Sequence, residues 1–236
     1  MLSETRRYTQ ERSTKMGLDM YLYKAKKADG IPAKEIPFIE NYLEYCLRPD
    51  KYKNASYKDW CGGDLDEVNL DHVPAYIDEY KVVFAKWDVN KNHPYRVLLQ
   101  NIGYWRKSNQ IHNWFVKNVQ GGKDDCEIYV VTIEQLQKLK DACTDVLSHC
   151  TLEKGTVTNG YQYDEKGNAI PLEEDGLVIK DSDYAKKVLP STSGFFFGST
   201  DYDQWYFEDV KYTAKLLEEI LNADDGTYHY FYRASW

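Results

Sequence analysis

The sequence predicts an α+β fold in which a mixed or mostly antiparallel sheet of about five strands is flanked by helices. Short runs rich in β-branched and aromatic residues occur throughout the chain, and longer segments repeat apolar residues at helical spacing. The two kinds of segment do not alternate in the even rhythm of a doubly wound parallel sheet. With 236 residues, of which 42% are hydrophobic, the chain is long enough for one packed domain, which we expect to span residues 16–236.

The first elements are predicted from short, distinct patterns. Residues 18–23 are rich in β-formers and predict the first strand. Residues 37–47 repeat apolar side chains at helical spacing after a proline, which a first helical turn accepts. Residues 51–71 are rich in turn formers and predict irregular structure. Residues 74–80 predict a helical turn, and residues 81–87 predict a strand, with continuation of the helix as the alternative.

The middle of the chain predicts more helix. Residues 95–119 predict one helix or two in succession, with Gly103 as the weak point, and residues 127–131 predict a strand. Thr132 and Gln135 form a capping-box pattern that begins the next helix. The apolar stripe of that helix comprises Leu136, Leu139, Cys143, Val146, Leu147 and Cys150.

The last third changes composition. Turn signals such as Asn-Gly between short β-prone runs predict a protruding hairpin or loop region at residues 151–181. A short helix at 182–189 and a buried strand at 194–198 are predicted next. Ser199 or Thr200 is then expected to cap a long helix that ends near residue 222. A final strand at 228–233 places three tyrosines on one face.

Composition excludes several classes of function. The net charge of −8 argues against broad nucleic-acid binding, which needs a basic face, but it permits a local basic pocket. We expect no membrane association, because no apolar run approaches the ~20 residues of a membrane helix. The five cysteines form no CxxC pair, so we expect reduced thiols, as in cytoplasm, with no disulfide framework or zinc site. Residues 1–15 are expected to be a disordered leader or upstream extension, because Met16 offers a second start.

Three stretches together resemble a known group of proteins. They are MGLDMYLYK at 16–24, GYWRKSNQIHNWF at 103–115 and SGFFFGSTDYDQWY at 193–206. The chain from residue 16 to its end resembles a family of uncharacterised bacteriophage and bacterial proteins. The resemblance implies a phage setting in the cytoplasm of a bacterial host cell, and it implies no catalytic residue. Interference with host defence, by sequestration or destruction of a nucleotide signal, is the role we associate with that setting.

The stretch 103–115 combines aromatic and basic side chains. In a helix these side chains could line a cleft where guanidinium and amide donors hold a phosphate and an indole stacks on a base. The competing interpretation is an amphipathic helix that packs its aromatic residues inward and leaves its basic residues in solvent. The predicted ligand-binding residues are Trp105, Arg106, Lys107, Asn109, His112, Asn113, Trp114, Ser199 and Thr200.

Ser199 and Thr200 join this set because a strand that leads through Gly198 into a helix N-terminus can bind anions through backbone N–H groups. Asp201 and Asp203 would repel phosphate there, which favours a simple helix cap. An acidic pair of this kind is also weak support for a divalent cation.

Three hypotheses follow. The preferred one is a non-catalytic protein that binds or sequesters a small nucleotide-like ligand, without cofactor or metal. The alternative is a phosphodiesterase in which His112 is the general acid or base, and Asp19, Asp201 or Asp203 holds a metal. The second alternative is a protein-binding module for a host factor. Assembly into a homo-oligomer stays open under each.

Overall fold

The computed structural model of the chain describes residues 17–47, 56–61, 68–85, 97–194 and 196–236. Within these ranges the predicted α+β class is confirmed, with seven α-helices and six strands. The strands divide into a four-stranded sheet and a separate two-stranded hairpin, where the sequence predicted about five strands. The predicted leader at 1–15 and the start at Met16 lie outside the described residues.

The elements follow in chain order. The strands are β1 (Asp19–Lys26), β2 (Gln100–Arg106), β3 (Tyr129–Val131), β4 (Leu152–Tyr163), β5 (Ala169–Ile179) and β6 (Tyr228–Ser235). The helices are α1 (Ile36–Leu47), α2 (Tyr57–Cys61), α3 (Pro74–Ala85), α4 (Asn109–Asn118), α5 (Ile133–His149), α6 (Asp183–Val188) and α7 (Gln204–Ala223).

The four-stranded sheet has the order β2-β1-β6-β3, and every neighbouring pair is antiparallel. Its centre is the pairing of β1 with β6, which runs in register from Asp19 opposite Ser235 to Lys26 opposite Tyr228. Side chains alternate between the two faces of a strand. Met20 and Leu22 therefore point to one face, while Tyr23 and Ala25 point to the other.

Each sheet face supports its own hydrophobic core. On the first face, side chains of β1, β2, β3 and β6 pack with α4, α5, α6 and α7. On the second face, Tyr23, Ala25 and Phe231 pack with α1, α2 and α3. The sheet is thus a middle layer between two groups of helices. No helix within the described ranges has the length and apolar character needed to cross a membrane.

Two predicted helices are confirmed in detail. α1 occupies the predicted 37–47 segment. α5 begins with the predicted capping box, in which Thr132 Oγ1 accepts from Gln135 N and the Gln135 side chain accepts from Thr132 N. Five members of the predicted stripe of α5, Leu136, Leu139, Cys143, Val146 and Cys150, are buried.

The predicted helix at 95–119 is wrong in its first half. Residues 100–106 form strand β2, and only residues 109–118 are helical. The reason is tertiary pairing, because β2 hydrogen-bonds along β1 with Tyr104 opposite Tyr21 and Arg106 opposite Asp19. Aromatic residues suit a strand as well as a helix, so local pattern alone did not decide between the two. Residues 95 and 96 lie outside the described ranges.

Three other predicted elements are corrected. Residues 81–85 continue helix α3 and do not form a strand, while 86 and 87 are not described. The described residues of the 194–198 segment, which exclude residue 195, are irregular and do not form a strand. Leu18 N donates to Phe196 O across 3.2 Å, but these residues form no ladder of hydrogen bonds. Neither Ser199 nor Thr200 caps α7, because Asp203 does so. Asp203 Oδ1 accepts from Trp205 N and Tyr206 N, and a carboxylate is a strong N-cap group.

Gly103 lies where β2 crosses helix α7. A Cβ atom at this position would be 2.7 Å from Leu216 Cδ2 and 3.2 Å from Leu22 Cβ. We expect Gly103→Ala to lower the free energy of unfolding by about 1–3 kcal/mol, the usual cost of overpacking. Urea denaturation measures the change, with exposed Gln100→Ala on the same strand as the control. Adding Leu216→Ala should recover part of the loss, and an additive double variant would contradict the proposed clash.

Candidate ligand-binding site

Arg106 and Lys107 stand at the end of β2, where the chain turns into helix α4. Lys107 N donates to Leu18 O across 2.8 Å, so the pairing of β2 with β1 continues for one residue beyond the end of β2. Lys107 itself adopts a left-handed conformation with φ of 59°. This backbone region is unfavourable for a residue with a Cβ atom, so the turn holds the side chain of Lys107 in a direction that an extended strand would not give it.

The two basic side chains converge on glycines. A Cβ atom on Gly17 would lie 3.0 Å from Arg106 Nη2 and 3.6 Å from Lys107 Cε. A Cβ atom on Gly198 would lie 3.1 Å from Lys107 Cβ, and Gly198 has a φ of 85° that favours glycine. Lys107 therefore joins the start of β1 to the segment that precedes α7. We call the surface formed by Gly17, Arg106, Lys107, Gly198, Ser199 and Thr200 the basic patch.

The hydroxyl side of the basic patch is held in place by Asn109. Ser199 and Thr200 are exposed, and Ser199 Oγ accepts from Asp201 N. Asn109 is buried beneath them, where its Nδ2 donates to Phe197 O and to Ser199 O across 3.2 and 2.7 Å. Its Oδ1 accepts from Thr192 N across 3.0 Å. One amide side chain thus fixes three points of an irregular segment.

Arg106 is oriented by a carboxylate and adjoins aromatic rings. Its Nη1 donates to both oxygens of Asp19, across 2.8 and 3.1 Å, and the Tyr104 hydroxyl donates to the same carboxylate. Burial, followed by the hydrogen bond with Asp19, raises the pKa of Tyr104 to about 12, so the phenol is neutral at physiological pH. The rings of Tyr104, Tyr21 and Tyr23 follow one another with centroids 5.4 and 5.9 Å apart.

His112 lies in the interior and not on the basic patch. It is fully buried, with Nδ1 2.8 Å from the Tyr232 hydroxyl and Nε2 2.9 Å from Asp124 Oδ1. Burial lowers the pKa of His112, while Asp124 opposes this change. A carboxylate only accepts hydrogen bonds, so Nε2 carries the proton of the neutral ring and Nδ1 accepts from Tyr232. Both ring nitrogens are therefore engaged within the protein.

Three other predicted residues also point inward. Trp105 is buried, and its Nε1 donates to Thr213 Oγ1 across 2.8 Å. Asn113 Nδ2 donates to Pro190 O across 2.8 Å. Trp114 is partly buried against the first core. The structure therefore leaves Arg106, Lys107, Ser199 and Thr200 exposed, with Lys107 against Gly198, the residue before Ser199. It uses the other predicted residues as packing and support.

Asp209 is a residue that the sequence analysis missed. It lies on the inner side of α7, and burial raises the pKa of its carboxyl from 3.8 to about 6. Ser108 and Gln110, at the start of α4, lower that pKa, whereas the charges of Asp203 and Glu208 raise it further. Within the described residues, buried Ser108 Oγ and Gln110 Nε2 make no hydrogen bond of normal geometry. The signal for Asp209 in the sequence is its helical spacing. It lies three residues after Tyr206 and four residues before Thr213, and both of these residues are buried.

Among the residues that the structure describes, no group of three or more His, Cys, Asp or Glu side chains is placed to hold a metal ion. Asp19 instead pairs with Arg106, and Asp203 binds backbone N–H groups of α7. No protein-family model, curated protein or solved structure matches the chain.

The tyrosines beside Arg106 are a second feature that the sequence analysis missed. Their signal was a period of two, with Asp19, Tyr21 and Tyr23 on one face of β1 and Tyr104 with Arg106 on the same face of β2. In β2 the same residues also fit the predicted helix, which hides the period of two in the sequence.

Removal of the Asn109 amide should release the segment that carries Ser199. We expect Asn109→Ala to lower the free energy of unfolding by about 2–4 kcal/mol, because it leaves buried backbone groups without partners. It should also increase amide hydrogen exchange in residues 191–200 selectively. The matched control is Asn118→Ala on the same helix, whose exposed Nδ2 donates to Trp114 O. Equal effects of the two substitutions would contradict this role of Asn109.

Asp209 predicts a specific dependence of stability on pH. Its pKa is higher in the folded state than in the unfolded state, so the folded protein binds more protons between pH 3.8 and about 6. Protonated Asp209 therefore contributes its full stabilisation below pH 3.8, and this contribution falls as the pH rises to about 6. Above that pH it is constant, and the total loss in the free energy of unfolding is about 3 kcal/mol. Asp209→Asn should raise stability at pH 7 relative to the parent but not at pH 4.

The measurement is the difference in unfolding free energy between Asp209→Asn and the parent from pH 4 to pH 8, which cancels the titration of other carboxylates. Glu218→Gln, at an exposed position of the same helix, is the control and should give no such step. A difference that does not change with pH would show that the carboxyl of Asp209 titrates normally in the folded protein.

Proposed function

We propose that the protein is a non-catalytic binding protein for a small nucleotide-like anion, which it holds at the basic patch. The observation that carries the proposal is the convergence of Arg106 and Lys107 on Gly17 and Gly198, beside the exposed hydroxyls of Ser199 and Thr200. Lys107, the guanidinium of Arg106 that Asp19 orients, and two hydroxyl donors form a local site for phosphate oxygens in a chain of net charge −8.

The glycines contribute by leaving space. A side chain at Gly17 would meet Arg106 Nη2 at 3.0 Å, and one at Gly198 would meet the aliphatic stem of Lys107 at 3.1 Å, so glycine at both positions leaves an anion room to approach the backbone beside these residues. Asp19 orients the guanidinium of Arg106 through Nη1, while Nη2 lies on the Gly17 side. An ion pair of this kind holds the planar guanidinium in a fixed orientation, which suits recognition of phosphate.

The aromatic contribution to the proposal differs from the one predicted from sequence. Trp105 and Trp114 pack against the first core, so stacking on a base falls to Tyr104, the partly exposed ring next to Arg106. Tyr21 lies behind Tyr104 at a centroid distance of 5.4 Å and supports it. Stacking on an aromatic face tolerates any base, and the neutral phenol adds no repulsion toward phosphate.

The burial of His112 supports a non-catalytic role over the phosphodiesterase alternative. A general acid or base must reach the proton that it transfers, either directly or through one water. Both nitrogens of His112 are hydrogen-bonded inside the protein, and its ring is enclosed by Phe197, Tyr232 and Trp236. The setting of the proposed ligand, a nucleotide signal sequestered by a phage protein in a bacterial cell, rests on the family resemblance alone.

Calorimetric titration tests the proposal with a panel of cyclic dinucleotides, cyclic trinucleotides, ADP-ribose derivatives and inorganic phosphate. We expect one class of nucleotide to bind, and we expect Arg106→Gln and Lys107→Gly each to weaken it about tenfold, the effect of losing one charge-assisted contact. Glycine at position 107 keeps the left-handed backbone and removes only the charged side chain. Lys117→Gln, at an exposed position of α4, is the control and should bind like the parent.

Two results would overturn the proposal. One is the absence of binding to every member of the panel by a protein whose circular dichroism shows it to be folded. The other is binding that Arg106→Gln and Lys107→Gly leave unchanged. Chromatography of the same mixtures reports turnover, and product that forms with the parent protein would contradict the non-catalytic assignment.

A further inference from the structure

The hairpin of β4 and β5 extends from the body of the protein and exposes most of its length. Its base is anchored, because Ile179 is buried and Leu152 packs against the first core. Beyond the base, every residue from 170 to 175 is exposed, including Ile170 and Leu172 at 42% and 44%. A two-stranded ribbon by itself is only marginally stable in water, and exposed apolar residues on it are a common mark of a binding surface.

One edge of the hairpin is occupied and the other is open. The outer edge of β5 is bound at its base, where Ile179 N donates to Tyr202 O and Leu177 N donates to Gln204 Oε1. Pro171 removes a further donor from β5. Within the described part of the chain, β4 pairs with β5 and with no other strand. The open edge is therefore the twelve-residue strand β4.

The orientation of the β4 backbone follows from the ladder. Residues directly opposite in an antiparallel pair point their N–H groups either both inward or both outward. Leu177 lies opposite Lys154 and donates outward, so Lys154 N also points outward. Alternation along the strand then turns the N–H groups of Thr156 and Thr158 outward as well.

The two faces of the hairpin differ in chemistry. One face carries the buried Val157 with Glu174 opposite it, and the exposed apolar side chains of Leu172 and Ile170. On the other face, Thr156 lies opposite Asp175 and Thr158 opposite Glu173. The two threonines are short, so a long side chain from a strand beside β4 can extend over them to the carboxylates. At the base of this second face an open concavity of about 530 Å³ is lined by residues that include Lys154, Thr156 and Asp175.

We propose that the open edge of β4 binds an extended segment of another protein that alternates basic and apolar residues, which adds to the hairpin as a third strand. The backbone of the segment would pair with the outward N–H and C=O groups of β4. Its apolar residues would lie on the face that carries the exposed Leu172, and its Lys or Arg residues would pair with Glu173 and Asp175. A second copy of the chain fits less well, because it would bring further carboxylates to the same surface.

The inference is independent of the basic patch, and a synthetic probe tests it. The probe is a short capped peptide of alternating lysine and valine, and the readout is fluorescence anisotropy together with shifts of the Ile170 and Leu172 methyl resonances. We expect Glu173→Lys with Asp175→Lys to weaken binding at least about tenfold. Glu218→Lys with Glu219→Lys on exposed α7 changes the net charge equally and should leave the affinity within about twofold.

A backbone test separates strand addition from simple charge attraction. Thr156→Pro removes one outward N–H group and should abolish binding, and a probe with a central proline should fail to bind the parent. Equal weakening by both charge-reversal pairs, unchanged methyl resonances, or binding of the proline-containing probe would each overturn the proposal. So would a concentration-dependent dimer, seen by analytical ultracentrifugation, that the probe does not dissociate.

Discussion

The buried amide of Asn109 is the contact on which the candidate site depends. It bonds Thr192, Phe197 and Ser199 through both of its polar atoms, and it does so from the first turn of a helix that packs on the sheet. Irregular backbone in the interior must satisfy its polar groups by such contacts, because it has no ladder of its own. A single side chain thereby replaces the strand pairing that the 194–198 segment lacks.

The same helix face shows why polar residues are retained inside this protein. Asn113 bonds Pro190, and His112 bridges Tyr232 on the central strand β6 to Asp124 in the following loop. Each of these groups is satisfied, so the cost of burying it is offset by the bond that it makes. The result is a rigid connection between the sheet, helix α4 and the segment before α7. Rigidity beneath a binding surface lowers the entropy that a ligand must remove.

Charge is distributed unevenly over the molecule, and the two proposed surfaces follow that distribution. The basic patch collects Arg106 and Lys107 at one end of the sheet, where Asp19 holds the guanidinium in place. The hairpin instead presents Glu173, Glu174 and Asp175 in sequence on a strand that is exposed along this run. A local potential, and not the net charge of −8, determines which partner each surface attracts. The two proposals therefore assign an anion and a basic segment to separate surfaces of one protein.

The sequence by itself determined those elements whose signals are local. The capping box of α5, the apolar repeat of α1 and the β-rich runs of β1 and β6 each carry their own pattern, because a cap or a stripe needs only near neighbours. Only the tertiary structure decided that residues 100–106 form a strand, since the hydrogen bonds of that strand come from β1. The candidate site likewise depends partly on local residue type and partly on tertiary contacts. Residue type predicts Arg106, Lys107, Ser199 and Thr200 as ligand-binding residues. Whether a side chain faces solvent or core depends on which element covers it, and that is decided by contacts distant in the sequence.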